Sequence, residues 1–253
     1  MAGQDDELDD EDFRGRRFTG VDLSDAVFRD CNLRRVKITD SWLSGVSLSG
    51  IVGDLRVNDV DVGPFVEAEL DRRNPERVQL RAMTGADDHR AMWATLEDLW
   101  AATVDRARKL PDAALHEQVD EEYSFTETLR HLIFATDAWI GRTIPEEPLP
   151  FHPLALPQDA YPPDLARAIG IDVDARPTID EVLAARAERM ALVRGIVVGL
   201  TDADLARPCP RSPAPGYPDE PRTVATCLGV VMEEECEHRR YANRDLSVLE
   251  ERG

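Results

Sequence analysis

The side chains best suited to chemistry lie in the segment Met232-Glu-Glu-Glu-Cys-Glu-His-Arg-Arg-Tyr241. It belongs to a helical stretch spanning roughly residues 222 to 250, whose inward stripe begins Val224, Cys227, Val231. Where more aliphatics should follow, the stripe offers Glu234 or Glu235 and then His238. Glu234 and His238 are four residues apart, one turn along one face, so a carboxylate and an imidazole can reach the same divalent cation. Glu235, three before His238, competes for the same place. A third ligand must come from another element, and His131, on the flank of a second amphipathic segment, is the best-placed candidate. The plain alternative for Glu234 and His238 is a helix-surface ion pair; for His131 alone, a satisfied core or boundary histidine. His89, His116 and His152 read as structural or solvated.

Four helices are needed to position these groups. The apolar periodicity predicts helices at about 87 to 110, 124 to 143, 178 to 199 and 222 to 250. Ser124-x-x-Glu127 and Thr178-x-x-Glu181 have the form of capping boxes. Two long proline-rich connections separate them: 145–177 with eight prolines and 208–221 with six. Long connections of this kind are uncommon unless they cover something. The pattern is that of a helix bundle, which builds metal sites from side chains on facing helices.

Residues 1–12 carry seven acids and no base, and read as a disordered acidic tail. From 13 to 63 a different period holds. Every fifth residue is large and apolar: Phe13, Phe18, Leu23, Phe28, Leu33, Ile38, Leu43 and Leu48. A period of five fits neither helix nor strand and marks an internal repeat. One more degenerate turn is expected through Val57 and Val62. Residues 64–86 read as a short capping helix and linker, ahead of a bundle domain at 87–253.

The repeats Val-Asp-Leu-Ser-Asp, Ala-Val-Phe-Arg-Asp and Cys-Asn-Leu-Arg-Arg closely resemble the pentapeptide-repeat family. That resemblance implies about two coils of a right-handed, four-sided β-helix, with Cys31 as an inward small residue. From about 87 to 250 the chain resembles the DinB family of four-helix-bundle metalloproteins. The motifs are Phe125-Thr-Glu-Thr-Leu-Arg-His131, Ala-Thr-Asp-Ala-Trp139 and Glu-Glu-Cys-Glu-His-Arg-Arg-Tyr-Ala-Asn-Arg-Asp245. The resemblance implies His131 as first ligand and His238 as last, with Glu234 where the family usually has histidine. It implies zinc or nickel; two imidazoles and one carboxylate also suit iron.

Families similar to this one include transferases and isomerases using low-molecular-weight thiols such as mycothiol or bacillithiol, acting on a second small molecule. In such an enzyme the 145–177 connection is a candidate lid, and Trp93, Trp139 and Arg142 are candidate cleft residues. The alternative is a non-catalytic binding protein whose acidic repeats imitate DNA toward a topoisomerase. Arg14, Arg16, Arg17, Arg29, Arg34, Arg35 and Lys37 make the repeat faces mixed rather than acidic, which weakens that alternative.

The formal charge of -20 argues against a nucleic-acid binder held by phosphate contacts. No apolar run approaches the roughly 20 residues of a membrane span. Four widely spaced cysteines make a disulfide framework improbable. Cys227 reads as core, and Cys236 falls on the face of its helix opposite Val231. We expect a cytoplasmic protein, with homodimers occurring among related bundles. No Ser-His-Asp set, phosphate loop or paired-cysteine motif is present.

Overall fold

The computed structural model describes residues 12–252 apart from 30 and 51. Of the acidic tail expected at 1–12, all but Asp12 therefore lies outside the described residues. The chain divides into two compact units, one ending at Ile51 and one beginning at Val52.

In the first unit the five-residue sequence period becomes a backbone period. Gly15, Gly20, Asp25, Arg35, Asp40, Gly45 and Gly50 all have positive φ, one in each described repeat. Glycine and aspartate occupy six of these seven positions, as the left-handed region favours. Amide-to-carbonyl bonds from Arg16 to Phe13, Ala26 to Leu23 and Val36 to Leu33 close a turn every ten residues. No strand is formed among the described residues of 12–50, and the apolar series from Phe13 to Leu48 stays about half exposed. Cys31, expected inward, is exposed; its thiol donates to the Arg29 carbonyl.

The sheet of the structure is a two-stranded hairpin, β1 (Arg56–Val57) and β2 (Val60–Asp61). It replaces the further repeat turn expected through Val57 and Val62. Asn58 and Asp59 both have positive φ, the requirement of a two-residue turn whose twist matches its strands. Two short helices follow, α1 (Gly63–Arg73) and α2 (Glu76–Arg81), broken at Asn74-Pro75; the second was not anticipated.

The four long helices are α3 (Ala86–Ala107), α4 (Phe125–Thr136), α6 (Ile179–Gly199) and α8 (Val224–Arg252), with short α5 (Pro163–Ala168) and α7 (Asp202–Leu205) in the connections. A single π turn, Asp137–Gly141, extends α4. Both expected capping boxes form. The Glu127 carboxylate accepts from Ser124 N at 2.9 Å, and that of Glu181 from Thr178 N at 2.8 Å.

The bundle core is two clusters. One joins Trp100 of α3 and most of α4 to Val182, Ala185 and Leu246; the other joins Met92, Trp93 and Leu96 to Val193, Val197, Leu228 and Met232. A buried ion pair from Arg186 on α6 to Glu235 on α8 links these helices, with the guanidinium 6.0 Å from the centre of the Trp100 ring. Cys236 is buried in the same cluster as Val231, not turned away from it. Because α8 packs against both α3 and α4, it buries more than one face.

No helix among the described residues is long and apolar enough to cross a membrane. All four cysteines are free; Cys209, Cys227 and Cys236 are buried. Burial raises the Cys227 thiol to about 11 and that of Cys236 to about 12, and a buried thiol of high pKa is inert. Brief alkylation of the native protein near neutral pH should therefore label Cys31 alone, and alkylation in denaturant all four. Native labelling of Cys227 or Cys236, read by peptide mass, would contradict this packing.

Candidate metal centre

Helix α4 is buried on nearly every side: from Phe125 to Thr136 only Glu127 is not fully buried. A twelve-residue helix surrounded in this way needs more cover than three neighbouring helices provide. The 145–177 connection supplies it through hydrogen bonds along the helix. The Arg130 guanidinium donates to the carbonyls of Leu154 and Ala175, at 2.9 and 3.3 Å. Leu156 N donates to the Arg130 carbonyl at 3.0 Å, and His152 N to the Asp137 carboxylate at 2.8 Å. Six of the residues between Phe151 and Ile171 are buried apolar side chains. So many ties make this segment a fixed cover over α4 rather than a lid free to swing.

The same cover fixes His131. Its Nδ1 is 3.1 Å from the Leu156 carbonyl oxygen. An imidazole donating from Nδ1 to that carbonyl presents the lone pair of Nε2, the arrangement by which a backbone carbonyl orients a metal-ligating histidine. Nε2 faces α8, where Glu234 Oε2 lies 3.5 Å away. The same oxygen is 3.0 Å from His238 Nε2, and the two imidazole rings are 4.7 Å apart.

His131, Glu234 and His238 thus converge, each offering one ligand atom, with all three atoms within 4.8 Å of one another. Two ligand atoms at the usual 2.0–2.1 Å from a tetrahedral cation are about 3.3 Å apart. The two N···O separations bracket that value, so the donor set fits a divalent ion. Burial works against a charged Glu234, but when the two imidazoles carry a proton on Nε2 their hydrogen bonds outweigh it and bring the carboxyl down to about 2. The carboxyl thus stands in the anionic form that a metal ligand needs. The His131 side chain is 10% exposed, His238 22% and Glu234 35%, so the cluster is shut on the α4 side and open on the other.

Glu235 does not compete. It is fully buried and its carboxylate is taken by Arg186. Neighbouring residues on a helix point about 100° apart, so one glutamate faces α4 while the next faces α6. The remaining histidines hold structure or face water. His89 Nδ1 lies 2.8 Å from the Gly85 carbonyl oxygen at the start of α3. His152 accepts from Leu154 N at 3.1 Å, and His116 is exposed.

A cavity of about 280 Å³ opens beside the cluster, sharing His131 and Glu234 and walled by Phe134, Ala135, Trp139 and Val230. Of the three expected cleft residues, Trp139 alone lines it. Trp93 is 1% exposed and packs in the core, its indole N–H on Glu97. The Arg142 guanidinium binds the carbonyls of Ser212 and Pro148 and so holds the two connections. Two polar residues complete the wall, Gln158 and Tyr217. Sequence reading missed both, because they sit in proline-rich stretches without periodicity.

A family model for the DinB superfamily matches residues 95–242, which spans α4, α6 and the cluster-bearing part of α8. A model for pentapeptide repeats matches residues 12–50 in eight copies. No curated protein and no solved structure matches the chain.

Proposed function

We propose that this chain, which belongs to the DinB superfamily, holds a divalent cation, zinc or nickel, on His131, Glu234 and His238, and activates a low-molecular-weight thiol. The reaction would be transfer of that thiol to a small electrophile. The convergence of the three ligand atoms, with Leu156 orienting His131, is the observation that carries this reading. A bound divalent cation lowers the pKa of a thiol at its open position and so supplies a thiolate at neutral pH.

The protein's own residues do the rest. His131 and His238 are held at fixed angles by α4 and α8, and Glu234 between them brings the negative charge that balances a dication. Phe134, Trp139 and Val230 keep bulk water from one side of the reacting atoms. In the transfer the thiol proton goes to solvent and a carbon–sulfur bond forms; the electron pair displaced from carbon leaves with the departing group of a halide or, at a carbonyl, moves to its oxygen, which takes a proton. A cytoplasmic location, where such thiols are reduced, suits this chemistry.

The repeat segment we read as two coils of a right-handed quadrilateral β-helix. A left-handed corner in every described pentapeptide supports this. So does the half-exposure of the apolar series, since with two coils each has only one neighbour to cover it.

Zinc-loaded protein incubated with mycothiol and an electrophilic alkyl or aryl halide should consume free thiol faster than buffer alone. His238→Ala should fall to the uncatalysed rate. Equal consumption by wild type and variant would remove the transferase reading.

A further inference from the structure

The cavity beside the cluster has an apolar body and one neutral polar edge, and that edge comes from both proline-rich connections. Gln158 reaches in from the first and Tyr217 from the second. Gln158 Nε2 is 3.0 Å from the Tyr217 hydroxyl oxygen, and Gln158 Oε1 is 3.2 Å from it. The Tyr217 ring is braced edge-on against Trp139 at 6.0 Å and lies 6.2 Å from Tyr161. Tyr161 in turn donates to the Pro215 carbonyl at 2.9 Å. Both polar groups are therefore held in place by the loops that carry them.

This pairing leaves one hydrogen bond free to be redirected. A phenol has one donor and also accepts, and a primary amide does both. The Gln158 amide can keep donating to the Tyr217 oxygen while the phenolic O–H turns from Oε1 to a ligand. A ligand oxygen then gains a donor at the expense of Gln158 Oε1, which sits on a half-buried residue, so entry avoids the cost of orphaning a fully buried group. The carboxylate of Glu234 on the same wall disfavours an anionic ligand group near it. What complements the pocket is a neutral acceptor on an apolar frame.

We infer that Tyr217, positioned by Gln158, is a specificity-determining residue that binds the carbonyl oxygen of a small, neutral, largely apolar ketone or aldehyde. This rests on the proposed reading of the adjacent cluster as the reaction centre, and names the class of its second substrate.

Acetophenone and ethylbenzene are probes of nearly the same shape with and without the oxygen. Their affinities for zinc-loaded wild type and Tyr217→Phe can be measured by titration calorimetry or ligand-observed NMR. The substitution should weaken acetophenone about fivefold to tenfold, the worth of roughly one hydrogen bond, and leave ethylbenzene unchanged or slightly tighter. Gln158→Leu should move acetophenone in the same direction by less. Equal effects on both probes, no effect on either, or no binding of acetophenone near its solubility limit would each overturn the inference. Zinc content measured on the same samples separates the two readings. Stoichiometric zinc without the selective loss sinks the Tyr217 assignment alone, whereas protein that holds no zinc sinks the metal reading.

Discussion

Glu235→Ala should destabilise the bundle by about 3–5 kcal/mol, the usual cost of removing one partner of a buried ion pair. Glu235 is fully buried and Arg186 on α6 is nearly so. Removing the carboxylate strands a guanidinium, one of whose terminal nitrogens, Nη1, already lacks a hydrogen-bond partner. Glu234→Gln, one position earlier, should cost only about 1 kcal/mol, because that side chain is about a third exposed and solvent screens its interactions. Urea denaturation monitored by circular dichroism reads both. Arg186→Met combined with Glu235→Leu should recover most of the loss, since apolar groups of similar volume often replace a buried pair without penalty. Equal midpoints for Glu235→Ala and Glu234→Gln would contradict the placement of the two glutamates.

The second large effect concerns the cation. Glu234→Gln should lower zinc affinity at least about 100-fold. Loss of a supporting contact alone typically costs 10–100-fold, and here a charged ligand is lost outright. Glu234→His should stay within about tenfold of wild type, because imidazole and carboxylate are both good zinc ligands. With the Glu234 carboxyl held near 2, mild acidification should not release metal by protonating the glutamate. Competition titration with a chromophoric chelator measures the wild type and both variants. Wild-type affinity in Glu234→Gln would mean that the carboxylate does not touch the metal.

Local spacing announces some parts of this structure and not others. Capping boxes at Ser124 and Thr178 were legible because both partners lie within four residues. The spacing of Glu234 and His238 was legible because one helical turn joins them, and His131 because its motif is specific. Which glutamate turns toward His131 was not, since the stripe admits both; the answer depends on Arg186, some fifty residues away. Gln158 and Tyr217 were hidden in stretches whose prolines erase any periodicity, although the demand that such long connections cover something proved a sound guide. Val57 and Val62 are five apart like the repeat residues, yet Asn58 and Asp59 in left-handed conformation turn the chain into a hairpin. Cys236 was misplaced because a helix packed on two sides has no single outward face.

The claim on which the rest depends is that His131 and His238 reach one cation together. Elemental analysis of purified wild type, His131→Ala and His238→Ala tests it, with circular dichroism confirming that each is folded. We predict about one equivalent of divalent transition metal in the wild type and less than about a tenth in either variant. Metal retained at wild-type level by either folded variant, or absent from all three after incubation with zinc and with nickel, would contradict it.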